Sequence, residues 1–272
     1  MIKMATFGFI GVGNMGGALA KAVCKKISPA DVMIADNSAE KAEAFAKETG
    51  AVLSDNESIA ASCKYIFLGV KPQVLPSLLT ALRPILKKRA HGDFILVTMA
   101  AGISIATIEY TLDYALPIIR IMPNTPVSVG EGMILYTANE FISEAEMAVF
   151  TDALSFAGKL AKVKEKRIDA ASVISGCGPA FMYMFLEAMT EAGYNLGLER
   201  EDARLYAEQT MLGAAKLAMS SEESLESLRV KVCSPGGSTI EGVKAFEANG
   251  LSETVEKALT ASFIRTKELG RG

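Results

Sequence analysis

The sequence predicts an α/β fold: a doubly wound, mostly parallel sheet over residues 1–164, followed by an all-α domain over residues 165–272. In the first part, short apolar runs alternate with helical patterns, as they do in doubly wound sheets. After Lys164 the strand signals stop, and almost every segment from Arg167 to Gly272 has helical periodicity. A chain of 272 residues is long enough for two such domains.

Composition excludes several classes of function. The chain has 31 acidic and 28 basic side chains and a net charge of −3. Nucleic-acid binding needs clustered Lys and Arg, so we expect no nucleic-acid partner. The four cysteines have no metal or redox spacing, so we expect no metal site and reduced thiols. With no unbroken apolar run of 18 residues and no leader pattern, we expect a cytoplasmic protein without a membrane partner.

The first strand, Phe7 to Ile10, leads into a glycine motif. Gly11, Gly13 and Gly16 form G-x-G-x-x-G between this strand and an apolar-periodic helix. Gly11 permits a tight turn, Gly13 lets a pyrophosphate approach the backbone, and Gly16 lets the helix pack closely on the strand. The free amides and the dipole at the helix start favour a phosphate. The pattern therefore predicts a Rossmann-type dinucleotide-binding domain, and the alternative is an ordinary glycine-rich turn.

The second strand, Val32 to Ala35, ends at Asp36, which lies 20 residues after Gly16. An acidic side chain at this spacing accepts a hydrogen bond from the ribose 2′-hydroxyl of NAD and disfavours the 2′-phosphate of NADP. Asn37 and Ser38 could instead donate to that phosphate, although Ser38 could equally be only the N-cap of the next helix. NADH and NADPH therefore both remain candidate cofactors.

Three later apolar runs continue the alternation, at Tyr65 to Val70, Phe94 to Thr98 and Ile118 to Met122. Ligands of such sheets bind outside the carboxyl ends of the strands. The segments to inspect are therefore "GVKPQ" (69–73), "MAAGIS" (99–104) and "MPNTPVSVGEG" (122–132).

Each of these segments offers a plausible ligand contact. Lys71 could reach a ribose or the substrate, or could simply face solvent, and Pro72 suits the first turn of a helix. The "AAG" segment (100–102) has small side chains that suit a flat nicotinamide ring. The proline-braced "PNTP" loop presents Asn124 and Thr125 at a fixed angle, as ligand orientation requires.

The helical domain contains a segment that needs a partner. Residues 181–196, "FMYMFLEAMTEAGYNL", are apolar around most of a helix, with Glu187 and Glu191 as the regular charges. A helix of this kind must be buried. A domain of roughly 106 residues has limited capacity to bury it alone, so we expect a homodimer through these helices. Breaks in the helical pattern are expected at "SGCGPA" (175–180), "LGLER" (196–200) and "CSPGGS" (233–238).

A second helix start resembles an anion site. The "SPGGST" loop leads into a helix that begins at Ser238 or Thr239. Its free amides and its dipole would favour an anion by about 0.3–2 kcal/mol. The glycine motif already serves a pyrophosphate, so the carboxylate of a small substrate is the best remaining anion. A plain Ser- or Thr-capped helix is the alternative.

The chain lacks an obvious proton donor for a carbonyl substrate. Its one histidine, His91, lies in the charged turn "KKRAHGD" before a strand, at the wrong end of the sheet for catalysis. Enzymes that reduce ketones usually need such a group. A protonated cyclic imine is already electrophilic, so the protein need only orient it and hydrogen-bond its nitrogen. The hydroxyl of Thr239 could do this.

Taken in order, the motifs "GFIGVGNMG", "VKP", "AAG", "MPNTP", "SGCGPA" and "SPGGST" resemble pyrroline-5-carboxylate reductase from Phe7 to about Lys267. The resemblance implies NAD(P)H-dependent reduction of 1-pyrroline-5-carboxylate to L-proline, the last step of proline biosynthesis. It implies a Rossmann domain followed by an all-α dimerisation domain that interleaves with its twin. Dimers of this family often assemble into rings of five, which is a decamer.

The residue patterns and the resemblance together nominate the site. Asp36 stands where many members of the family have a small polar residue, so the usual preference for NADPH need not hold. Thr239 and Ser234 are the candidate catalytic residues. Candidate substrate contacts are Gly236, Gly237, Ser238, Thr239, Asn124 and Thr125. The resemblance alone adds Glu165, which without it is one charge in "KVKEKR". Candidate cofactor contacts are Gly11, Val12, Gly13, Asn14, Met15, Gly16, Asp36, Asn37, Asn56, Val70, Lys71, Pro72, Ala101 and Gly102.

Two other functions are possible on the same glycine motif. A 3-hydroxyacid dehydrogenase-like enzyme would need a lysine soon after the glycine-rich opening of its second domain, but the next lysine after "SGCGPA" is Lys216. A non-catalytic dinucleotide-sensing protein would bind cofactor without turnover, and it would leave the "SPGGST" loop without a role.

Overall fold

A computed structural model describes residues 7–269, and in it the first part of the chain forms an eight-stranded sheet. The strand order is β3-β2-β1-β4-β5-β6-β7-β8, and every neighbouring pair is parallel except β6 and β7. The expected doubly wound, mostly parallel sheet is confirmed. The strands are β1 (Phe7–Ile10), β2 (Val32–Ala35), β3 (Val52–Leu53), β4 (Tyr65–Leu68), β5 (Ile95–Thr98), β6 (Ile118–Met122), β7 (Gly132–Ala138) and β8 (Gly158–Lys162).

Three of these strands were not expected from the sequence. β3 has only two residues, both exposed, so it carries no apolar run. β8 places Lys159 and Lys162 in its five residues, which hides its strand character. β7 pairs antiparallel with β6, and the alternation of apolar runs and helices, which predicts parallel strands, did not include it. The expected strands at Tyr65 and Phe94 are shorter than predicted, because β4 ends at Leu68 and β5 begins at Ile95.

Helices connect the strands and cover both faces of the sheet. Four of them begin with a side chain that accepts a hydrogen bond from a backbone amide of the first turn: Ser38, Asp55, Ser104 and Ser143. The helices are α1 (Asn14–Lys26), α2 (Ala39–Thr49), α3 (Asn56–Ser62), α4 (Leu75–Leu86), α5 (Ile105–Leu112), α6 (Glu144–Ala153) and α7 (Glu165–Ser172).

Alternation along the strands builds a core on each face of the sheet. Phe7 and Phe9 of β1 point to one face, where Phe9 stacks on Phe67 of β4 with ring centroids 4.4 Å apart. Ile10 and Leu68 point to the opposite face. Since both faces are covered, the strands are apolar at nearly every position, as expected for a parallel sheet. The strand ends near Ile10, Ala35 and Leu68 are therefore held in a rigid frame.

The remaining helices are α8 (Gly178–Asn195), α9 (Arg200–Ser220), α10 (Leu225–Lys231), α11 (Ser238–Ala248) and α12 (Leu251–Leu269). The break expected at "SGCGPA" is wrong. A π-helical turn, Val173–Cys177, joins α7 to α8 without a break. The breaks expected at 196–200 and 233–238 are confirmed.

The described residues separate into two compact units: residues 7–177 with 262–269, which we call the sheet unit, and residues 178–261, which we call the helical unit. The sequence predicted a domain boundary between residues 164 and 165, and that boundary stays a prediction. The segment from Glu165 to Cys177 belongs to the sheet unit, and two hydrogen bonds connect it to β6 and the loop after β6. Arg120 donates to Asp169, and Asn124 donates to the Ser175 carbonyl oxygen.

The helical run Glu165–Asn195 has 31 residues, and by length and composition alone it could cross a membrane. The sequence predicted no span, because charged residues interrupt the run. At its start, Asp169 accepts a hydrogen bond from the buried Arg120 of β6. The most apolar part of the run is largely unburied within the chain.

Candidate active site

The turn between β1 and α1 has the geometry that the glycine motif predicts. Gly11 has φ +96°, and a Cβ there would lie 2.7 Å from the carbonyl oxygen of Gly69. A Cβ at Gly16 would overlap the carbonyl oxygen of Gly11, which explains the close packing of α1 on the strand. A Cβ at Gly13 would meet nothing within 4 Å. The backbone at Gly13 therefore faces open space, where a pyrophosphate would fit.

The glycine turn leaves the amides at the start of α1 free for an anion. Gly13 is the N-cap, and no side chain caps the helix. Asn14 is the first helical residue and is exposed, whereas Met15 is half-buried and Val12 is buried. An uncapped helix start next to an open space is the arrangement that phosphate groups occupy in nucleotide-binding folds.

Asp36 ties the glycine loop to the end of β2. Its Oδ2 accepts a hydrogen bond from the Val12 amide at 2.9 Å, and its Oδ1 accepts one from the Ser38 amide at 3.0 Å. Ser38 is the N-cap of α2, as one of the two alternatives proposed, and its Oγ accepts from the Lys41 amide. Asn37 stays exposed between them.

A cavity of about 600 Å³ opens beside this carboxylate at the carboxyl ends of β2 and β3. Asp36 and Asn37 line one side, and Asn56, the first residue of α3, lines the other. Two predicted cofactor contacts that are far apart in sequence are thus brought together. The location, next to the glycine loop and at strand ends, suits the adenosine half of a dinucleotide.

The other predicted cofactor contacts lie after β4 and β5. Val70 is half-buried and Lys71 is exposed. Pro72 does not begin a helix as predicted, because a turn intervenes: the Lys71 carbonyl oxygen accepts from the Val74 amide at 2.9 Å, and α4 starts at Leu75. After β5, Ala101 and Gly102 form a half-buried turn, and Gly102 has φ +76°.

Asn124 has a different environment from the one its predicted role requires. It is 9% exposed, its Nδ2 donates to the Ser175 carbonyl oxygen at 2.9 Å, and its Oδ1 accepts from the Met133 amide at 2.8 Å. The side chain thus holds the loop after β6 in place. Thr125 is exposed and starts a 3₁₀ turn. The substrate contacts expected of these two residues stay predictions.

A buried ionic cluster, which the sequence did not reveal, lies in the same unit. Arg120 of β6 is 3% exposed, and its Nη2 donates to Asp169 Oδ1 at 2.7 Å. Its Nη1 lies 3.6 Å from Glu165 Oε1, and Lys267 Nζ lies 3.1 Å from Asp169 Oδ2. Nε of Arg120 is buried and has no hydrogen-bond partner among residues 7–269. The one available signal was an arginine inside the apolar run "IIRIM". We call these four residues the Arg120 cluster.

Glu165 therefore has a structural contact of its own. Its Oε1 accepts a hydrogen bond from the amide of Ile105, the first residue of α5, at 2.8 Å. This bond connects α7 to the segment that follows the Ala101–Gly102 turn. The Glu165 side chain is 36% exposed, so a ligand can reach it, and the substrate contact that the resemblance implies stays a prediction.

The second glycine-rich loop joins α10 to α11. The Ser234 carbonyl oxygen accepts from the Gly237 amide at 3.0 Å, and Gly236 has φ +73°. Gly237 is the N-cap of α11, no side chain caps it, and Ser238 is the first helical residue, as predicted. Ser234, Ser238 and Thr239 are exposed. The first turn of α11 therefore presents amides and two hydroxyl groups without a capping side chain.

Among the N-caps of the described helices, glycine occurs at α1 and α11. Both helices follow glycine-rich loops, and both leave their first amides without a capping side chain. Ser224 caps α10 by accepting from the Ser227 amide. The helices α4, α7 and α9 also begin without a capping side chain, but none of them has a glycine at its N-cap. Two helix starts of this kind suit two anions, such as a pyrophosphate and a carboxylate.

His91 is exposed and packs edge-on against Phe141 with ring centroids 4.9 Å apart. It precedes β5, at the opposite end of the strand from the Ala101–Gly102 turn. The expectation that His91 is a surface residue is confirmed. Within residues 7–269, no group of three or more His, Cys, Asp or Glu side chains is placed to hold a metal ion.

Comparisons with known proteins agree with this geometry. The family model described as "Pyrroline-5-carboxylate reductase dimerisation" matches residues 165–269. A second model, described as "NADP oxidoreductase coenzyme F420-dependent", matches residues 6–102. The first model covers the helices with the "SPGGST" loop. The second covers the glycine motif and the cavity beside Asp36, which we call the adenosine-side cavity.

Full-length relatives point the same way. The pyrroline-5-carboxylate reductase of Pseudomonas aeruginosa is 38% identical over 264 residues, which is 96% of this chain and 95% of the relative. The solved structure of a pyrroline-5-carboxylate reductase from Coxiella burnetii has a TM-score of 0.90 at 33% identity, covering 98% of this chain and 99% of that one. That of the Plasmodium falciparum enzyme with NADP bound has a TM-score of 0.87 at 31% identity, covering 99% and 100%.

Proposed function

The chain belongs to the pyrroline-5-carboxylate reductase family, and from that premise we propose which of its residues carry the reaction. It is an NAD(P)H-dependent oxidoreductase that reduces 1-pyrroline-5-carboxylate to L-proline, the last step of proline biosynthesis. The alternatives, a 3-hydroxyacid dehydrogenase-like enzyme and a dinucleotide sensor, have no support among the relatives.

The reaction adds one hydride and one proton across the C=N bond of the ring. NAD(P)H, when bound, supplies the hydride to the ring carbon. Because the imine nitrogen is already protonated, the carbon accepts the hydride and the nitrogen keeps its proton, giving the secondary amine of proline. Because the nitrogen carries its proton before the hydride arrives, no side chain has to donate one during the step, which agrees with His91 lying exposed at the far end of its strand.

The cofactor is assigned to the sheet unit. The residues fit a dinucleotide because the turn is open at Gly13 and because α1 starts without a side-chain cap. The assigned pyrophosphate contacts are Gly11, Val12, Gly13, Asn14, Met15 and Gly16. The adenosine contacts are Asp36, Asn37 and Asn56, and the contacts after the later strands are Val70, Lys71, Pro72, Ala101 and Gly102.

The substrate is assigned to the "SPGGST" loop. The carboxylate would accept hydrogen bonds from the amides at Gly236 and Ser238, supported by the dipole of α11, while Gly237, whose amide donates to the Ser234 carbonyl oxygen, would line the same loop. The hydroxyl of Thr239 would accept a hydrogen bond from the protonated ring nitrogen, and the hydroxyl of Ser234 lies in the same loop. Glu165, Asn124 and Thr125 remain candidate contacts on the substrate side.

The observation that carries this assignment is the uncapped glycine start of α11, since the polar loop is otherwise unused. A matched pair of variants tests Thr239. Thr239→Val keeps the shape and removes the hydroxyl, whereas Thr239→Ser keeps the hydroxyl. We expect Thr239→Val to lower kcat with 1-pyrroline-5-carboxylate about 10- to 100-fold, because one hydrogen bond to a charged group is lost.

The measurement is the loss of absorbance of NADH and NADPH, with Thr239→Ser as the control that stays near wild-type. NAD⁺ and NADP⁺ affinity, measured by calorimetry, should not change in either variant, because Thr239 is not a cofactor contact. Wild-type turnover by Thr239→Val would remove Thr239 from the mechanism. Ser234→Ala should lower kcat by a smaller factor.

The exposed apolar surface of the helical unit is assigned to the homodimer interface. Homo-oligomerisation follows from the dimerisation model that matches this part of the chain. On α8 the exposed apolar residues include Met182 (50%), Tyr183 (57%) and Met184 (66%). The same apolar residues give the run Glu165–Asn195 the length and composition of a membrane-spanning helix, and we assign this surface to a second copy of the chain rather than to a lipid bilayer.

Further assembly and location extend the proposal. Dimers would associate into a larger ring such as a decamer, as the family resemblance implies, and the protein would work as a soluble enzyme of the cytoplasm. The proposed domain division is a cofactor domain over residues 1–164 and a dimerisation and substrate domain over residues 165–272, in agreement with the family match that begins at residue 165.

A further inference from the structure

The adenosine-side cavity carries information about which cofactor the enzyme uses. It is lined by eight residues at the carboxyl ends of β2 and β3 and at the start of α3: Ala35, Asp36, Asn37, Ser54, Asp55, Asn56, Glu57 and Ser58. Three of these side chains are carboxylates, and none is Lys, Arg or His. The ribose 2′ position of a dinucleotide bound at the glycine loop lies next to the residue that follows β2, which here is Asp36.

Asp36 is held in a defined position by the protein itself. Both of its oxygens accept backbone hydrogen bonds, from the amides of Val12 and Ser38. The carboxylate therefore cannot turn away from the cavity without losing two hydrogen bonds and loosening the glycine loop. Each oxygen still has a free lone pair, so Asp36 can accept a further hydrogen bond from a ribose hydroxyl.

The donors on the Asp36 side of the cavity are few and uncharged. The Ser38 amide donates to Asp36, and the Ser38 hydroxyl oxygen accepts from the Lys41 amide as the cap of α2. Lys41 lines a different cavity, together with Lys21 and Phe45. Asn37 is exposed and uncharged. Its side-chain amide and the hydroxyl proton of Ser38 are the donors that remain beside Asp36, and neither carries a positive charge.

The acidic residues on the opposite wall add to the same effect. The Ser58 amide and hydroxyl donate to Asp55, which lowers the pKa of its carboxyl group, so Asp55 is charged at neutral pH. Glu57 follows in the first turn of α3. A phosphate dianion placed in this cavity would meet three negative charges and no positive one, and like charges placed together cost binding free energy.

We propose that this enzyme discriminates against the 2′-phosphate and uses NADH in preference to NADPH, with Asp36 as the main specificity residue and Glu57 as a secondary one. This inference rests on the proposed function only for the identity of the cofactor class. It departs from the NADP seen in the Plasmodium falciparum relative.

Binding of the oxidised cofactors to the full-length protein, measured by isothermal titration calorimetry without substrate, tests the proposal. We expect NAD⁺ to bind at least about tenfold more tightly than NADP⁺. The adenosine fragments should show the same order, with 5′-ADP binding more tightly than 2′,5′-ADP. Because exposed charges are screened, the ratio should narrow as the salt concentration rises.

Two variants locate the cause. Asp36→Ser should bring the NAD⁺ to NADP⁺ affinity ratio close to one. Because this change also removes the acceptor for two backbone amides, Glu57→Gln provides a second variant that leaves Asp36 intact, and it should narrow the ratio about twofold. Glu144→Gln, an equal charge change at the start of α6 outside the cavity, should leave the ratio unchanged.

Equal or tighter binding of NADP⁺ by the wild-type protein would overturn the proposal, as would an unchanged ratio in both Asp36→Ser and Glu57→Gln. These results are independent of the reaction. NAD⁺ binding in the expected order with no reduction of 1-pyrroline-5-carboxylate would contradict the proposed function and leave this inference standing, and rapid reduction with preferred NADPH would do the opposite.

Discussion

The two compact units bury their apolar side chains to very different extents. The sheet unit encloses two cores, one on each face of the sheet, with residues such as Phe9 and Leu68 fully buried. In residues 178–261, all of which the structure describes, only Ala203 and Ala207 are buried. Yet α8 in that unit carries one of the most apolar segments of the chain. A sheet with helices on both faces completes its own core, whereas a few helices of this length need a second molecule.

The same contrast applies to the two glycine-rich helix starts. The loop before α1 is packed against the backbone of Gly69 and bonded to Asp36, so its shape is set within the sheet unit. The loop before α11 is exposed, and its internal support within the chain is the hydrogen bond between Ser234 and Gly237. We infer that the loop before α1, proposed to hold the cofactor, is preorganised in a single chain, and that the loop before α11, proposed to hold the substrate, depends on assembly for its final environment.

The largest expected effect tests the incomplete core of the helical unit. Met184→Glu places a charge in the apolar surface of α8, once in each copy, and a buried unpaired charge costs several kcal/mol. We expect dissociation of the dimer and loss of helical circular dichroism. Sedimentation equilibrium at micromolar and nanomolar protein concentration would measure it.

Tyr110→Glu is the matched control, since Tyr110 is an exposed apolar side chain (89%) of the sheet unit. It should leave the sedimentation behaviour unchanged. A folded, stable monomer of the Met184→Glu protein would show that the helical unit does not need its twin.

The next effect tests how the sheet unit holds the segment Glu165 to Cys177. Arg120→Met removes the buried cation, so Asp169 loses its buried partner and Glu165 loses the positive charge that lies 3.6 Å from it. Breaking a buried ion pair costs about 3–5 kcal/mol, and because Asp169 keeps Lys267 we expect about 3 kcal/mol, measured by urea unfolding followed by fluorescence.

Arg204→Ala provides the control for this variant. It removes an ion pair with Glu208 in which both side chains are well exposed, so the free energy of unfolding should change by less than about 0.5 kcal/mol. Equal effects for Arg120→Met and Arg204→Ala would contradict the structural role of the Arg120 cluster.

The smallest expected change in stability comes from two variants of the glycine loop, Gly16→Ala and Gly13→Ala, which distinguish packing from ligand binding. Gly16→Ala forces a methyl group against the Gly11 carbonyl oxygen and should destabilise the protein by about 1–3 kcal/mol. Gly13→Ala places its methyl group in open space, at an extended backbone position that any residue adopts, so stability should change little. NAD⁺ affinity should nevertheless fall in Gly13→Ala, because the methyl group occupies the expected pyrophosphate position.

Thermal unfolding and cofactor titration of the two variants would distinguish these outcomes. Normal NAD⁺ affinity in Gly13→Ala would move the pyrophosphate away from the glycine turn, and a stable Gly16→Ala protein would contradict the close approach of helix and strand.

Local sequence patterns determined much of this protein. The alternation of apolar runs and helical patterns located five of the eight strands, and the glycine spacing located the turn before α1. The "SPGGST" loop predicted the start of α11 at Ser238, and the apolar character of residues 181–196 predicted a surface that needs a partner. These features depend on neighbouring residues, whose periods of 2 and 3.6 can be read directly.

Only the tertiary structure decided which distant residues meet. Asp36 bonds an amide 24 positions away, Arg120 bonds Asp169 across 49 positions, and Glu165 bonds the start of α5 across 60. The antiparallel return of β7 and the burial of Asn124 are of the same kind. Such contacts depend on how the whole sheet folds. The residues next to a side chain in sequence do not indicate which distant residue will contact it.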